Sequence, residues 1–165
     1  MIRPIGIPKE VADLRLLINE AFGTVAEEFG LSQANAASNP AFATEAEVLT
    51  FARRANPGFF GFFDGDRMLG CYALEAKPDV AYLERLCVLP AARHGGMGRA
   101  LVADAILRAR GLGVHGISIG IMDGNLRLKE WYLSQGFVLR ETRTFDRLPF
   151  AVRYLDFPLQ AGSPA

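Results

Sequence analysis

YLERLCVLPAARHGGMGRALV, residues 82–102, passes from an apolar run through a proline into three glycines within four positions, then into a helix-type pattern. A strand, a glycine-rich loop and a helix in that order set an α/β arrangement at this point of the chain. Glycine loses the most backbone freedom on folding, so Gly95, Gly96 and Gly98 together need a reason. A glycine loop running into a helix N-terminus offers free N–H groups and the positive end of the helix dipole, which suits an anion and phosphate above all. A Walker-type loop is excluded, because Gly98 is followed by Arg99-Ala100 and lacks the required lysine and hydroxyl. A dinucleotide loop counted from Gly96 would need a third glycine at Leu101. The one formal G-x-G-x-x-G, Gly111 to Gly116, follows a helix and precedes a strand, the reverse of the required context, and reads as a helix stop plus loop.

Working outward, the hydrophobic periodicity sets the remaining elements. Ile2 to Ile7 reads as a short strand interrupted by Pro4, and Lys9 to Phe22 as a helix with Val11, Leu14, Leu17 and Ile18 on one face. A second short helix is possible at Val25 to Phe29, before the polar loop SQANAASNP. Thr44 and Glu47 form a capping-box pattern that opens a helix ending near Asn56-Pro57. Phe59 to Phe63 and Met68 to Ala76 read as a hairpin around Asp64-Gly65-Asp66. Ala81 to Leu89 is a strand and Gly98 to Arg110 a helix with Gly111 as its stop. Gly116 to Met122 is a strand, Asn125 to Gln135 a helix, and Phe137 to Thr144 and Ala151 to Phe157 are the last strands. This order predicts an α/β fold with a mixed, mostly antiparallel central sheet flanked by about four helices. One domain over residues 1–160 with a short tail at 161–165 is expected from the length of 165 residues.

Composition narrows the function. Lys+Arg and Asp+Glu both number 18, so no net charge draws the chain to nucleic acid or an anionic membrane, and neither is expected as a partner. No apolar stretch resembles a signal peptide or a bilayer span, and the two cysteines, Cys71 and Cys87, are too few for a disulfide scaffold. A cytoplasmic location with reduced, buried thiols is the expectation. His94 and His115 have no partners at ligand spacing, so no metal is expected. His94 is placed beside phosphate and His115 in a loop. An apolar strand keeps the Cys87 thiol protonated, which argues against a nucleophile.

A second segment, NLRLKEWYLSQGF at 125–137, sets an asparagine, a tyrosine seven positions on and Gly-Phe four positions later. Together with residues 82–102 it resembles the GNAT superfamily of N-acetyltransferases, in the right order and with a strand between the two motifs. The resemblance is close over Ala81 to Phe137, and residues 1–58 match only as a strand and two helices. It implies that acetyl-CoA is the acyl donor, with its pyrophosphate on the backbone amides of His94, Gly95, Gly96, Met97, Gly98 and Arg99, and with Arg93, the first residue of the R-x-x-G-x-G pattern, among the cofactor-binding residues. On this reading a Cβ at Gly96 or Gly98 would hold the pyrophosphate away from the main chain. The resemblance also implies that the pantetheine arm bonds the backbone of Leu86, Cys87 and Val88 on a strand splayed from its neighbour. Asn125 is carried over as a cofactor contact, although an asparagine there is equally a plain helix N-cap.

Tyr132 is carried over as the general acid that protonates the departing thiolate, against the reading of a core aromatic. An amine acceptor is mostly protonated at neutral pH and needs a base. The strand at 116–122 carries no carboxylate, so Glu84, with Tyr82, Leu86 and Val88 as expected same-face neighbours, is the candidate. A structural carboxylate is the competing reading, and Arg85 is a poor partner in a regular strand. The implied activity is direct acetyl transfer to an amine on a small molecule or protein, by a monomer or homodimer. The alternative is a silent acyl-CoA-binding or sensor domain of the same fold. In the family the acceptor contacts segments that map to Thr24 to Phe42 and Thr144 to Phe150. In and next to these segments, Phe22, Phe29, Phe42, Phe145 and Phe150 beside Glu27, Glu28 and Asp146 suit a cationic, partly apolar amine.

Overall fold

Strands β1 (Ile2–Pro4), β2 (Pro57–Asp64), β3 (Arg67–Ala76), β4 (Val80–Val88), β5 (Gly116–Met122), β6 (Val138–Arg143) and β7 (Val152–Pro158) form one sheet in the order β1-β2-β3-β4-β5-β7-β6. Every neighbouring pair is antiparallel except β4 with β5. Four helices flank it: α1 (Val11–Glu28), α2 (Glu45–Arg54), α3 (Met97–Gly111) and α4 (Leu126–Ser134). The computed structural model describes residues 1–160, so the tail expected at 161–165 lies outside the described residues. The mixed, mostly antiparallel sheet with four helices is the architecture expected from the sequence.

The sheet separates two cores. On one face, α3 contributes Leu101, Val102, Ala105 and Ala109, and α4 contributes Tyr132, against Tyr72, Leu74, Leu83 and Ile117. On the other, α1 contributes Leu14, Leu17 and Ile18, and α2 contributes Val48 and Phe51, against Cys71, Ala73 and Cys87. The capping box opens α2 as read from the sequence. Thr44 Oγ1 accepts from the Glu47 N–H at 3.2 Å, and Glu47 Oε2 accepts from the Thr44 N–H at 3.1 Å.

Several boundaries differ from the sequence reading. Helix α1 starts at Val11 and runs unbroken through Gly23 to Glu28, merging the two helices expected there. A mid-helix glycine costs about 1 kcal/mol, which the burial of Ala21 and Ala26 on either side offsets. Strand β1 stops at Pro4, because Glu10 folds back to accept from the Gly6 N–H at 2.6 Å and from Arg3 Nη2 at 2.7 Å. At the end of α3, Gly111 remains helical and Gly113, at φ +73°, is the left-handed stop. Phe137 precedes β6 and is buried in the core that holds Tyr132. In the β2–β3 hairpin the turn residues are Gly65 and Asp66, with the positive φ of +59° at Gly65.

Candidate active site

The parallel pair β4–β5 holds for only three residues, Val80↔Gly116, Ala81↔Ile117 and Tyr82↔Ser118. Beyond them β4 stays paired to β3 as far as Val88, and β5 stays paired to β7 as far as Met122. The two halves of the sheet therefore diverge and leave facing edges with unpaired backbone. A cavity of about 580 Å3 occupies the opening. Its walls come from both layers, with Phe22 and Val25 of α1 on one side and Leu128 and Tyr132 of α4 on the other.

The facing edge of β4 supplies donors and acceptors selectively. Leu89 donates to the Leu69 carbonyl of β3 at 2.9 Å. Backbone groups alternate sides along an antiparallel strand, so Cys87, two residues earlier, also turns toward β3 while Leu86 and Val88 turn toward the opening. The Val88 carbonyl is taken by Arg93 Nε at 3.1 Å. Of the three residues expected to meet a pantetheine arm, Leu86 thus keeps both backbone groups free, Val88 keeps its N–H, and Cys87 is spent within the sheet.

Past β4, a short 3-10 turn at Pro90–Ala92 leads into the glycine loop. His94 and Gly96 take left-handed backbone conformations, φ +67° and +83°, and Gly96 is the N-cap of α3. The consequence is a run of six N–H groups, His94 through Arg99, with no protein acceptor among the described residues. The next, Ala100, bonds the Gly96 carbonyl at 3.0 Å and begins the helical ladder. Six amides converging at a helix N-terminus form an anion cradle. The glycines have local causes too. A side chain at Gly96 would meet open space but a strained φ, whereas a Cβ at Gly98 would lie 3.3 Å from the Trp131 ring of α4. A side chain at Gly98 would therefore crowd the Trp131 ring, a reason the sequence reading did not include.

Arg93, expected among the cofactor-binding residues, is engaged within the protein. Its guanidinium donates to the Val88 carbonyl at 3.1 Å, to Thr24 Oγ1 at 3.0 Å and to the Ala21 carbonyl at 2.8 Å. It clasps the loop to α1 and leaves the phosphate cradle to backbone. Arg93→Ala should lower the unfolding free energy by about 2 kcal/mol in urea denaturation, and Arg93→Lys should rescue little, because a single ammonium cannot reproduce the fork.

Glu84 and Arg85 sit where β4 slips register against β3, between Cys71 and Ala73 of the partner strand. Arg85 adopts φ +53°, the left-handed conformation of a bulge. One extra residue reverses the alternation beyond it. Glu84 pairs with Ala73 and Cys87 with Cys71, both on the α1–α2 face, whereas Leu86 and Val88 pack into the α3–α4 core. Leu86 and Val88 are therefore not on the face that Glu84 occupies. Arg85 also turns to the α1–α2 face, where its guanidinium lies 3.8 Å from the Phe51 ring centroid and Nη1 lies 3.7 Å from Glu84 Oε2. Arg85 is thus beside Glu84, contrary to the expectation for a regular strand. Glu84 Oε2 is shielded from solvent and accepts no hydrogen bond among the described residues. Burial raises the Glu84 carboxyl above its ordinary range, against the pull of Arg85 in the other direction.

Tyr132 is buried, in edge contact with Trp131 and Phe137 at 4.9 and 5.3 Å between ring centroids. It nonetheless lines the cavity, and its hydroxyl makes no hydrogen bond among the described residues. Burial pushes its phenol well above the usual tyrosine range, so it keeps its proton throughout the physiological range. Asn125 caps α4 by accepting from the Leu128 N–H at 3.2 Å and also lines the cavity. Neither cysteine lines it, and their sulfurs lie 3.7 Å apart inside the sheet.

At the outer end, Phe22 and Phe150 line the cavity as the sequence suggested, but Phe29, Phe42, Phe145, Glu27, Glu28 and Asp146 do not. Their place is taken by charged residues: Glu84, the candidate base, now with Arg85 beside it, and Arg140 and Arg143 with Glu141, which sequence reasoning passed over. Arg140 is occupied by Asp156 at 2.7 Å and Ser118 at 3.0 Å, and Arg143 by Glu141 at 2.7 Å.

These features, a sheet opened between two parallel strands, an amide cradle at the following helix and a cavity at the opening, define an acyltransferase of the acetyl-CoA type. The chain belongs to the acetyltransferase (GNAT) family, whose profile matches residues 24–137. The fold is similar to that of the PaiA N-acetyltransferase from Thermoplasma acidophilum, solved in complex with coenzyme A. That match has a TM-score of 0.80 and 18% identity and covers 96% of this chain and 98% of that one. The ribosomal-protein-S18-alanine N-acetyltransferase from Escherichia coli matches with a TM-score of 0.74 and 17% identity over 100% and 96% of the two chains. A GNAT family acetyltransferase from Elizabethkingia anophelis, solved with acetyl-CoA bound, matches with a TM-score of 0.60 and 15% identity over 70% and 84%. No curated protein sequence matches the chain.

Proposed function

We propose that this chain transfers the acetyl group of acetyl-CoA directly to an amine. The observation that carries the reading is the run of six unpaired amides from His94 to Arg99, at the end of the strand whose free edge borders the cavity. The residues fit the cofactor. The amides would hold a pyrophosphate, and the Leu86 backbone with the Val88 N–H would bond the amide groups of an extended arm, as a sheet edge bonds an added strand. When bound, acetyl-CoA supplies an acetyl group activated as a thioester.

The chain's own groups then divide the proton transfers. Glu84, ionised despite its burial, accepts a proton from the incoming ammonium and leaves the nitrogen lone pair free to attack. The nitrogen–carbonyl bond forms, the carbon–sulfur bond breaks and Tyr132 donates its phenolic proton to the departing thiolate; the second amine proton, lost from the acylated nitrogen, restores the phenol, and Glu84 passes its proton to solvent. A phenol with a raised pKa is a weak acid in water, but beside a thiolate formed in the same dry cavity it meets a base strengthened by the same desolvation. The placement of Cys71 and Cys87 inside the sheet favours direct transfer over an acyl-cysteine route.

Acetyl-CoA at a hundredfold excess over Kd should stabilise the protein by about 2.7 kcal/mol, a rise in Tm of roughly 5–10 °C, whereas ATP and NAD should give no shift. CoA release across an amine panel, read with a thiol reagent, tests transfer itself. Stabilisation by acetyl-CoA without release by any amine would leave a binding domain, and an equal shift with ATP would sink the cofactor assignment.

A further inference from the structure

The cavity holds one cation whose N–H donors the described protein leaves unused. The Arg85 guanidinium is stacked on Phe51 at 3.8 Å and only 27% of its side chain is exposed. Its five N–H donors make no hydrogen bond among the described residues. The nearest carboxylate oxygen, Glu84 Oε2, is 3.7 Å away, beyond hydrogen-bond reach, and is itself without a donor. The surroundings do not supply a counter-charge in full, since among the described residues Arg54, Lys77 and Arg85 face the carboxylates of Glu75 and Glu84 alone. Glu75 is already committed to Lys77 at 2.7 Å and Arg54 at 3.5 Å. The other two arginines of the cavity lie 2.7 Å from their acidic partners, Asp156 and Glu141, whereas Arg85 faces Glu84 only at 3.7 Å. It also sits in a left-handed conformation that a non-glycine residue enters at a cost, and this conformation is what turns it to the same side as Glu84.

An unused acceptor and an unused set of donors 3.7 Å apart, both bordering the cavity, call for a ligand that brings a cation and an anion close together. We infer that Arg85 binds an anionic group of the acceptor, a carboxylate held within a few bonds of the amine, so that the acceptor is a small amino-acid-type amine. In a free amino acid the ammonium and carboxylate share one carbon, which lets the first reach Glu84 while the second meets the guanidinium. A lysine side chain in a protein and a peptide N-terminus carry no such obligatory neighbouring carboxylate. Phe22, Val25 and Phe150 give the rest of the molecule an apolar wall.

This inference rests on the N-acetyltransferase reading above and is tested separately from it. Matched acceptors are compared by CoA release: an apolar amino acid, its carboxamide and its decarboxylated amine, with leucine, leucinamide and isopentylamine as one set. Each is corrected for the fraction of free amine at the working pH. Wild type should prefer the carboxylate over the carboxamide by about tenfold or more in kcat/KM, the range expected of a charge-assisted hydrogen bond in a partly dry site. Arg85→Gln should collapse that ratio toward one. Arg85→Asn, which tolerates the left-handed backbone, should do the same and guards against a fold defect in the first variant. A thermal shift with acetyl-CoA on each variant verifies that the cofactor site is intact.

Equal use of the three acceptors by wild type, or a preference for the decarboxylated amine, would overturn the inference and leave the N-acetyltransferase reading standing. So would a ratio that survives both substitutions. Release with no amine at all, despite acetyl-CoA binding, would overturn both.

Discussion

Tyr132→Phe should lower kcat by about a hundredfold or more while leaving acetyl-CoA binding almost unchanged, because it deletes one proton and keeps the ring. The structure adds a control. The Tyr132 hydroxyl makes no hydrogen bond within the described protein, so its removal leaves no protein partner unpaired. The melting temperature of Tyr132→Phe should therefore equal or exceed that of wild type. A variant as stable as wild type and a hundredfold slower places the phenol in the chemistry. Wild-type turnover on a good acceptor with chemistry rate-limiting would return Tyr132 to the core, as one more ring beside Trp131 and Phe137.

Glu84→Gln should lower kcat/KM by about a hundredfold near pH 7, with part of the loss recovered at high pH where the free amine is abundant. In wild type, the acidic limb of kcat/KM should lie above the ordinary glutamate range, since burial raises this carboxyl in the folded protein and a base works only when ionised. The acceptor amine's own ionisation must first be divided out. The sign for stability is opposite to that of a salt-bridged acid. With the folded pKa raised, ionised Glu84 begins to destabilise the fold as pH rises through the unfolded value and does so fully above the folded one. Glu84→Gln should accordingly be at least as stable as wild type at pH 7. A lower Tm with an unchanged pH profile would mark Glu84 as a structural counter-charge for Arg85. Full activity at pH 7 would show that the base lies elsewhere, with a water chain to solvent as the next candidate.

Much of the candidate site was legible because its signals are local. Gly96 needs a positive φ, the amides of residues 94–99 lie at the start of a helix, and the spacing Asn125, Tyr132, Gly136 marks a capped helix followed by a turn. Each is a property of a few consecutive residues, readable from backbone sterics and helix geometry. The partners of Arg93 were not legible for a related reason. Its neighbours in sequence are the loop, but its hydrogen bonds go to Ala21 and Thr24, on a helix some seventy residues earlier. The merging of α1 across Gly23 likewise depends on what its buried face meets, which propensity does not register.

The sequence by itself determined the α/β architecture, the glycine loop that opens α3 and the two motifs on either side of β5, because periodicity, turn chemistry and capping act over a few residues. Tertiary structure alone decided the opening and its charge. The divergence of β4 from β5 beyond Tyr82 and Ser118 is a failure of pairing between distant segments. The bulge at Arg85 is a register slip against β3, invisible in a run of residues that alternates as any strand would. Because strand side chains alternate with a period of two, that single extra residue turns Leu86 and Val88 away from Glu84 and brings Arg85 beside it. The acidic, cation-seeking acceptor end expected from the loops thus became a cavity in which a carboxylate and a guanidinium stand side by side, 3.7 Å apart.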